Sequence, residues 1–373
     1  MNMKPNSTFV GQTILRPAVF ACFVLLAASA HAQFTYVTNN GAITITGYTG
    51  SGGNVAIPDT INGLPVTSIG DWAFSSGGVR LTNVTIPDSV TSIGEDAFIG
   101  CLNLTNVTIP DSVTSIGDEA FDECGGLRNV TIGNRVADIG ESAFANCTSL
   151  VSVTIPDSVT NIGEDAFGSC ESLTNVTIPD SITSIGVDAF SWCVSLPNVI
   201  IPNSVTDIGA GAFAECICLT SVTIPDGVTN IGDFAFSGCM RLAKAFFQGN
   251  APSVDGSAGS ADTSVFASEA GTLYYVPGTA GWGRRFGGWP TAPWYQPTPQ
   301  ILGNACGLGV QSNGFGFTVS WATNTSVVVQ TCTNWANPVW TPVATNALTN
   351  GVYTFSDPQW TNYPSRFYRV RSP

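Results

Sequence analysis

The stretch that decides the fold is I-P-D-S-V-T-S-I-G-E-D-A-F-I-G-C-L-N-L-T-N-V-T, which runs from Ile86 to Thr108. The same pattern returns every 23 residues, with further starts at Ile109, Ile132, Ile155, Ile178, Ile201 and Ile224. An earlier copy starts at Ile57 and is six residues longer, so eight repeats span residues 57–246. A unit this short cannot enclose a core alone, whereas stacked copies bring equivalent apolar residues together. The period therefore predicts a solenoid with one coil per repeat.

Each coil is predicted to contain a short strand at the pattern L-x-x-V-x-I-P. In the repeat that contains Leu104, Val107 and Ile109 are separated by Thr108, so the period of two places both apolar side chains inward. Asn106 and Thr108 then point outward. The proline that follows the isoleucine lacks an N–H group and is expected to end the strand at a corner.

The rest of the coil supplies a second short side and a turn. Val113 and Ile116 are the next apolar pair, and a glycine such as Gly117 follows with the backbone freedom that a turn requires. The segment E-D-A-F-x-x-C has its acidic residues first, as expected for a single helical or 3₁₀ turn. The sequence predicts a β-rich solenoid with short strands and one such turn in each coil.

The repeated residues C-x-x-L-x-x-V-x-I-P-x-S-V-x-x-I-G-x-x-A-F resemble the BspA-like bacterial leucine-rich repeats. The resemblance covers residues 57–246 and departs from the pattern at Gly133, which replaces proline, and in the longer first unit. It implies a leucine-rich-repeat solenoid that is secreted or exposed at the cell surface and that binds a ligand, often in adhesion. No catalytic residues are known for the repeat itself, so the resemblance leaves the ligand open.

The N-terminal residues 1–32 are predicted to be a signal peptide, because the apolar run 18–29 precedes an A-x-A site at Ala30–Ala32. The protein is therefore expected to be exported, to the medium, the cell surface or the periplasm, with no transmembrane segment in the mature chain. His31 is the only histidine, so the mature chain would have no Ser-His-Asp triad and no His-ligated zinc. The formal net charge of −14 argues against nucleic-acid binding.

Cysteine recurs in the repeats with the same 23-residue spacing. The alternatives are a thiolate metal site, stacked disulfides, or a buried ladder of small apolar side chains. We favour a structural ladder, because parallel strands hold equivalent Cβ atoms about 4.8 Å apart, beyond disulfide distance, and no C-x-x-C pair is present. The ladder is Cys101, Cys124, Cys147, Cys170, Cys193, Cys216 and Cys239. Outside the repeats, Cys306 and Cys332 are candidates for a disulfide.

Outward polar residues of the strands are the best candidates for a binding surface, although they could simply keep an exposed sheet soluble. They are Asn83, Thr85, Asn106, Thr108, Asn129, Thr131, Asn175 and Thr177. Carboxylates also recur at the corners, after the I-P step and in the E-D segment. These could bind a cation or form a glycosidase pair, but we favour turn capping and a solvated edge, because a catalytic pair would not recur in every coil.

The segments outside the repeats complete the predicted layout. Residues 33–56 contain Asn40-Gly41 between two alternating runs and are predicted to form a capping hairpin. Residues 247–300 are interpreted as a C-terminal cap and linker, and residues 301–373 as a small all-β, sandwich-like domain. In that domain Trp335, Trp340 and Trp360 could stack on glycans or belong to the core.

The sequence thus predicts a non-enzymatic binding or adhesion scaffold that recognises an extracellular protein or glycan over an extended solenoid face. It predicts neither a metal site nor a cofactor, and it leaves the oligomeric state open. The alternative is a carbohydrate-binding protein that acts through the C-terminal tryptophans. A hydrolase that uses two carboxylates is a third, less favoured hypothesis.

Overall fold

The computed structural model describes residues 33–75, 80–255, 257–258, 263–267, 270–294, 300–301, 309–311, 314–321, 326–348 and 352–371. The strands up to residue 293 are β1 (Phe34–Asn39), β2 (Ala42–Tyr48), β3 (Gly52–Ala56), β4 (Thr60–Ile61), β5 (Leu64–Ile69), β6 (Arg80–Thr85), β7 (Ser92–Ile93), β8 (Asn106–Thr108), β9 (Ser115–Ile116), β10 (Asn129–Thr131), β11 (Asp138–Ile139), β12 (Ser152–Thr154), β13 (Asn161–Ile162), β14 (Asn175–Thr177), β15 (Ser184–Ile185), β16 (Asp207–Ile208), β17 (Ser221–Ile224), β18 (Asn230–Ile231), β19 (Lys244–Phe247), β20 (Ser253–Val254), β21 (Ser257–Ala258), β22 (Thr272–Tyr275), β23 (Arg285–Phe286) and β24 (Trp289–Pro293).

Most of these strands stack in register and in parallel along two sides of the solenoid, with one strand of most coils on each side. The first sheet has the order β14-β12-β10-β8-β6-β3 and is followed by β17-β19-β22-β24-β23. The second sheet has the order β1-β2-β5-β7-β9-β11-β13 and is followed by β15-β16-β18-β20-β21. Equivalent residues lie directly over one another, as Val107 pairs with Val84 and Val130. The predicted leucine-rich-repeat solenoid is therefore confirmed.

The strand of each coil buries the residues that the period of two predicts. Val107 and Ile109 are buried, whereas Asn106 and Thr108 are exposed. Ile116 supplies the buried residue of the second sheet. One continuous apolar core therefore runs from Phe34 to Trp289 along the stack.

The corner predicted to form a helical or 3₁₀ turn consists instead of consecutive turns. In the coils from Asp96 to Gly238 two residues have left-handed φ angles, and Trp72 is the one such residue in the described part of the preceding corner. A single left-handed residue is enough to end a right-handed helix. At the first position φ lies between 51° and 63°, in Trp72, Asp96, Glu119, Ser142, Asp165, Asp188, Gly211 and Phe234. At the second φ lies between 54° and 73°, in Gly100, Glu123, Asn146, Ser169, Trp192, Glu215 and Gly238.

The corner connects neighbouring coils through backbone hydrogen bonds. The N–H groups of Asp96, Phe98 and Gly100 donate to carbonyls of the next coil, at 3.0, 2.8 and 2.8 Å. The intervening residues bond locally, as the Ile99 N–H does to Asp96 O at 3.1 Å. The αL residues turn alternate N–H groups along the solenoid axis, so the corner joins neighbouring coils as the sheets do.

The glycine after each isoleucine is required for close approach and not for a turn, which corrects the expectation above. A Cβ atom at Gly117 would lie 2.6 Å from the carbonyl carbon of Gly94, and one at Gly163 would lie 2.6 Å from that of Gly140. Carbon atoms cannot pack at that distance, so the backbones of successive coils touch here because no side chain separates them.

The N-terminal segment forms an antiparallel hairpin, β1 with β2, whose turn residues Asn40 and Gly41 have φ angles of 50° and 79°. Strand β2 then pairs in parallel with β5 of the first coil.

At the other end the stack continues into the segment interpreted as a cap and linker. Strand β22 pairs in parallel with β19, and β24 pairs with β22. Phe266 and Trp289 extend the column of core phenylalanines, with ring centroids 5.6 Å from Phe236 to Phe266 and 4.4 Å from Phe266 to Trp289. The core thus extends to residue 289.

The C-terminal region contains β25 (Gln300–Ile301), β26 (Gly309–Gln311), β27 (Gly314–Ser320), β28 (Ser326–Cys332), β29 (Thr341–Ala347), β30 (Val352–Asp357), a 3₁₀ helix (Trp360–Asn362) and β31 (Phe367–Arg371). One sheet has the order β25-β27-β26 with β30 beside β27, and the other has the order β29-β28-β31. Phe317 and Phe355 of the first sheet share a core with Val327 and Val329 of the second. No helix in the described residues is long and apolar enough to span a membrane.

Candidate binding surfaces

The outward side of β6, β8, β10, β12 and β14, which we call the front face, presents the eight predicted polar residues. All eight side chains are exposed. Their backbones pair coil to coil, as Asn83 does with Asn106 and Thr85 with Thr108. The Asn129 Nδ2 donates to Asn106 Oδ1 at 2.8 Å, so neighbouring amides are also bonded along the ladder. The front face is therefore a regular array of uncharged donors and acceptors.

A groove of about 680 Å³ lies along the N-terminal half of the front face. Five of the eight predicted residues line it, namely Asn83, Thr85, Asn106, Thr108 and Thr131, whereas Asn129, Asn175 and Thr177 do not. The groove also contains the corner residues Asp88, Asp111 and Asn134, of which the two carboxylates are among those expected to cap turns. Each lies two residues after the isoleucine of its repeat, and this shared position was the sequence signal that could have placed them together beside the front face.

At the corner that borders this groove, after the isoleucine, successive coils are in close contact. Asp111 Oδ1 accepts from the Asn134 backbone N–H at 2.7 Å. Gly133, which replaces proline here, sits so close to the Pro110 carbonyl that a Cβ atom would overlap it. Asp111 therefore caps the next coil, and the groove floor at this corner is backbone.

The regular front face ends at the coil that contains Pro197. In other coils the equivalent residue donates its N–H to the preceding coil, as Thr174 does to Val151 O at 2.9 Å, and proline has no such group. The six-stranded sheet accordingly stops at β14, and the Pro197 coil pairs with β17 through an isolated bridge, Ile200–Thr223. Ile200 occupies the position of Thr177 and is 79% exposed, so the polar ladder is interrupted here.

Acidic side chains crowd the corner of left-handed residues. Burial, with the neighbouring Asp188 and Asp122 charges, raises the pKa of Asp165 to about 6. Burial also raises the pKa of Asp96, whose side chain is 3% exposed and whose Oδ1 has no hydrogen-bond partner in the described structure. Among the described residues, no three His, Cys, Asp or Glu side chains are placed to hold a metal ion.

The seven repeat cysteines are all buried free thiols. Each Sγ donates to the carbonyl of the core phenylalanine in the preceding coil at 3.1–3.4 Å, as Cys170 does to Phe144. Burial raises the pKa of Cys170 and Cys193 well above that of an ordinary thiol. Cys332 is also buried, but Cys306 lies outside the described residues, so the disulfide between them stays a prediction.

The structure brings together two of the three C-terminal tryptophans. Trp335 and Trp340 meet edge to face, with centroids 6.4 Å apart, and Trp335 also lies 5.4 Å from Phe367. Trp360 packs against Phe315 instead, at 6.3 Å. The position of Phe367 could not be predicted from the sequence, because only the antiparallel pairing of β31 with β28 places it opposite Cys332.

The fold and its repeats have close counterparts. A comparison with curated proteins gives no match. The chain is similar to a leucine-rich repeat protein from Bacteroides ovatus, at 30% identity and a TM-score of 0.55, over 65% of this chain and 70% of that one. It is also similar to a leucine rich cell surface protein from Faecalibacterium prausnitzii, at 30% identity and a TM-score of 0.51, over 66% of this chain and 82% of that one.

The sequence pattern of the BspA type leucine rich repeat region matches this chain in six copies, over residues 67–197 and 183–260. Those matches extend over just over half of the 373 residues, and they coincide with the stacked coils. The chain belongs to the BspA-type leucine-rich repeat family.

Proposed function

We propose that this protein is an exported, non-enzymatic binding or adhesion scaffold whose front face recognises an extracellular protein or glycan. The observation that supports the proposal is the front face itself, where exposed Asn and Thr side chains repeat in register beside the groove. Such an array offers many weak hydrogen bonds over a long surface, so affinity would come from their number. Proteins of this family are typically secreted or surface-exposed, which fits the predicted signal peptide.

Rigidity supports the same proposal. The front-face strands share one core with the second sheet, and backbone and amide hydrogen bonds connect each coil to the next. A ligand would therefore meet side chains that are already ordered, which lowers the entropic cost of binding.

The experiment compares two double variants of the full chain that add the same charge on different sides. Thr108→Arg with Thr131→Arg obstructs the front face, and Asn161→Arg with Ser184→Arg places arginines on exposed positions of the second sheet. Binding is measured by surface plasmon resonance to immobilised mucin, collagen and laminin, with mucin repeated after periodate oxidation of its glycans. We expect at least a tenfold loss of affinity for the front-face variant only. Equal losses in both variants, or no binding to any of the three, would contradict the proposal.

A second candidate function is carbohydrate binding by the C-terminal domain. It is favoured by one observation, the exposed Trp335 ring held beside Trp340 and Phe367. Trp360 is not part of this cluster, so only two of the three predicted tryptophans would contribute. Trp335→Ala is expected to remove glycan binding by this domain, while the front face keeps its own ligand. A glycan pull-down with Trp335→Ala and with the front-face variant shows which of the two surfaces binds the glycan.

A further inference from the structure

We propose that the C-terminal domain binds a carboxylate-bearing polysaccharide on the outer side of its three-stranded sheet, β29-β28-β31. This inference rests on the second candidate function and names its ligand class. The site combines the exposed ring of Trp335 with the guanidinium of Arg369, and Trp340 lies between them.

The aromatic part of the site is ordered before any ligand arrives. Trp335 is 66% exposed, although it contacts Trp340 and Phe367. Its loop is fixed by Asn334, whose Oδ1 accepts the backbone N–H groups of Ala336 at 3.0 Å and Asn337 at 3.4 Å. An indole ring that is held in place and still open to solvent can pack against the C–H face of a pyranose ring, because both surfaces are apolar.

The cationic part of the site is equally constrained. Arg369 is exposed, and its guanidinium carbon lies 4.5 Å from the centroid of the Trp340 ring. Its Nε donates to the Oε1 of buried Gln330 at 2.8 Å. A guanidinium group has five N–H donors in a planar fork that matches a carboxylate, and the bond to Gln330 uses one of them. The two contacts therefore orient a cation that can still bind an anionic group of a ligand.

The charge of the domain favours an anionic ligand over a neutral one. Residues 301–373 contain three arginines and a single acidic residue, Asp357. That carboxylate forms an ion pair with Arg366, at 3.0 Å from its Nε, and accepts a hydrogen bond from the Tyr368 hydroxyl at 2.8 Å. It is thus engaged by Arg366, while Arg369 and Arg371 follow at alternate positions on the outer side of β31. A basic aromatic face stands out in a chain whose net charge is −14.

The test uses the full chain and two acidic polymers, polygalacturonate and hyaluronate, each compared with its methyl ester, which keeps the sugar backbone but removes the charge. Affinity is measured by calorimetry for the wild type and for Trp335→Ala, Arg369→Gln and the control Trp72→Ala, which changes another exposed tryptophan, on the solenoid. We expect at least one acid to bind at least tenfold more tightly than its ester. Trp335→Ala should weaken both forms tenfold, Arg369→Gln only the acid, and Trp72→Ala neither.

The outcomes separate this inference from the function on which it rests. Equal affinity for acid and ester, or no effect of Arg369→Gln, would overturn the anionic ligand and leave glycan binding intact. The absence of binding to all four polymers would overturn both. Loss of binding in Trp72→Ala would place the site elsewhere. Analytical ultracentrifugation tests whether this surface instead binds a second copy of the chain. If the wild type is a dimer, Trp335→Ala is a monomer and no polymer binds, the surface contacts the acidic solenoid of a second copy and the inference is wrong.

Discussion

Individual residues at the corners determine how closely the coils approach one another. The glycine that follows each isoleucine lies against the backbone of the preceding coil, and a Cβ atom at Gly117, Gly163, Gly186 or Gly209 would be 2.6–2.7 Å from that backbone. No side chain can move aside to relieve such a contact. The spacing of the coils thus depends on the absence of one carbon atom.

Gly163→Ala is expected to destabilise the protein by about 1–3 kcal/mol, because the added methyl group would push two coils apart. The control is Gly125→Ala, where a Cβ atom would meet only the Thr148 hydroxyl oxygen, at 3.4 Å. Chemical denaturation of both variants measures the difference. If Gly163→Ala were no less stable than Gly125→Ala, close approach would not explain this glycine.

Asp165, at the corner of left-handed residues, makes the stability of the fold depend on pH. Because burial raises the pKa of Asp165 from 3.8 to about 6, the folded state binds its proton more tightly than the unfolded state does. The stability that this protonation provides is fully present below about pH 4 and is lost as the pH rises through 6. Asp165→Asn should therefore be more stable than the wild type at pH 7, by about 1 kcal/mol since solvent screens a half-buried group, and similar at pH 4.

Denaturation with guanidinium chloride at pH 4 and pH 7 measures this effect. The matched control is Asp180→Asn, which removes the same charge from an exposed position after the I-P step. A variant Asp165→Asn that is as stable as the wild type at pH 7, or less stable, would contradict the assignment.

The buried thiols predict a pattern of chemical labelling. Iodoacetamide reacts with thiolates. Burial shields all seven ladder cysteines, and it also raises the pKa of thiols such as Cys170 and Cys193. Cys218 is the half-buried exception within the repeats. Mass spectrometry of the native protein is expected to find Cys218 alkylated and the ladder cysteines unmodified until denaturant is added. Labelling of Cys170 in the folded protein, or its protection by a metal that a chelator removes, would contradict a structural ladder.

At the scale of elements, the column of aromatic rings joins the coils. Consecutive rings from Phe74 to Phe266 are nearly parallel, with centroids 4.8–5.6 Å apart. Trp289 ends the column and is 2% exposed. An open-ended stack would leave the last phenylalanine in water, so this tryptophan closes the core.

Trp289→Ala should cost about 3–5 kcal/mol, because it removes a large buried ring and uncovers Phe266. The loss should be local, since each coil contacts only its neighbours. Hydrogen exchange is expected to show reduced protection in β22 and β24 and unchanged protection in β8 and β10. The control Trp192→Ala changes an exposed ring and should leave protection unchanged. A uniform loss of protection along the solenoid would show that Trp289 is not a local cap.

The 23-residue period explains which elements could be predicted. It fixes the inward Val107 and Ile109 and the outward Asn106 and Thr108, because strand periodicity alone decides their direction. It cannot show that Asp96 and Glu123 adopt left-handed angles, since acidic residues also suit the start of a helical turn. Only the Gly and Asn residues at equivalent positions hinted at this conformation, Gly211 for Asp96 and Gly100, Asn146 and Gly238 for Glu123.

Residue spacing was also insufficient to predict the C-terminal end of the solenoid and the candidate site in the C-terminal domain. Thirty residues separate Phe236 from Phe266, so the period is broken there, and its return between Phe266 and Trp289 is visible only once the rings are seen to stack. In the C-terminal domain the strands pair across loops of variable length. Spacing alone could therefore not separate Trp360 from Trp335, nor place Phe367 beside Trp335 and Arg369 beside Trp340.

At the scale of the whole molecule, the described residues form two cores that share no member. The solenoid core extends from Phe34 to Trp289, whereas Phe317, Val319, Val327, Val329, Leu348 and Phe355 form the second. Polar contact between the two regions includes the Ser320 hydroxyl, which donates to Pro277 O at 3.0 Å. Because few buried side chains support the second core, it should be the less stable of the two.

Thermal unfolding is therefore expected to occur in two steps, with the C-terminal domain first. Phe317→Ala should lower the temperature of the first step and leave the second unchanged, since Phe317 is fully buried in the smaller core. Phe167→Ala, in the ring column of the solenoid, should do the reverse. Differential scanning calorimetry of the two variants and the wild type provides the measurement. A single transition that both substitutions lower equally would mean that the two cores unfold as one unit, and binding by the solenoid and by the C-terminal domain could then not be treated separately.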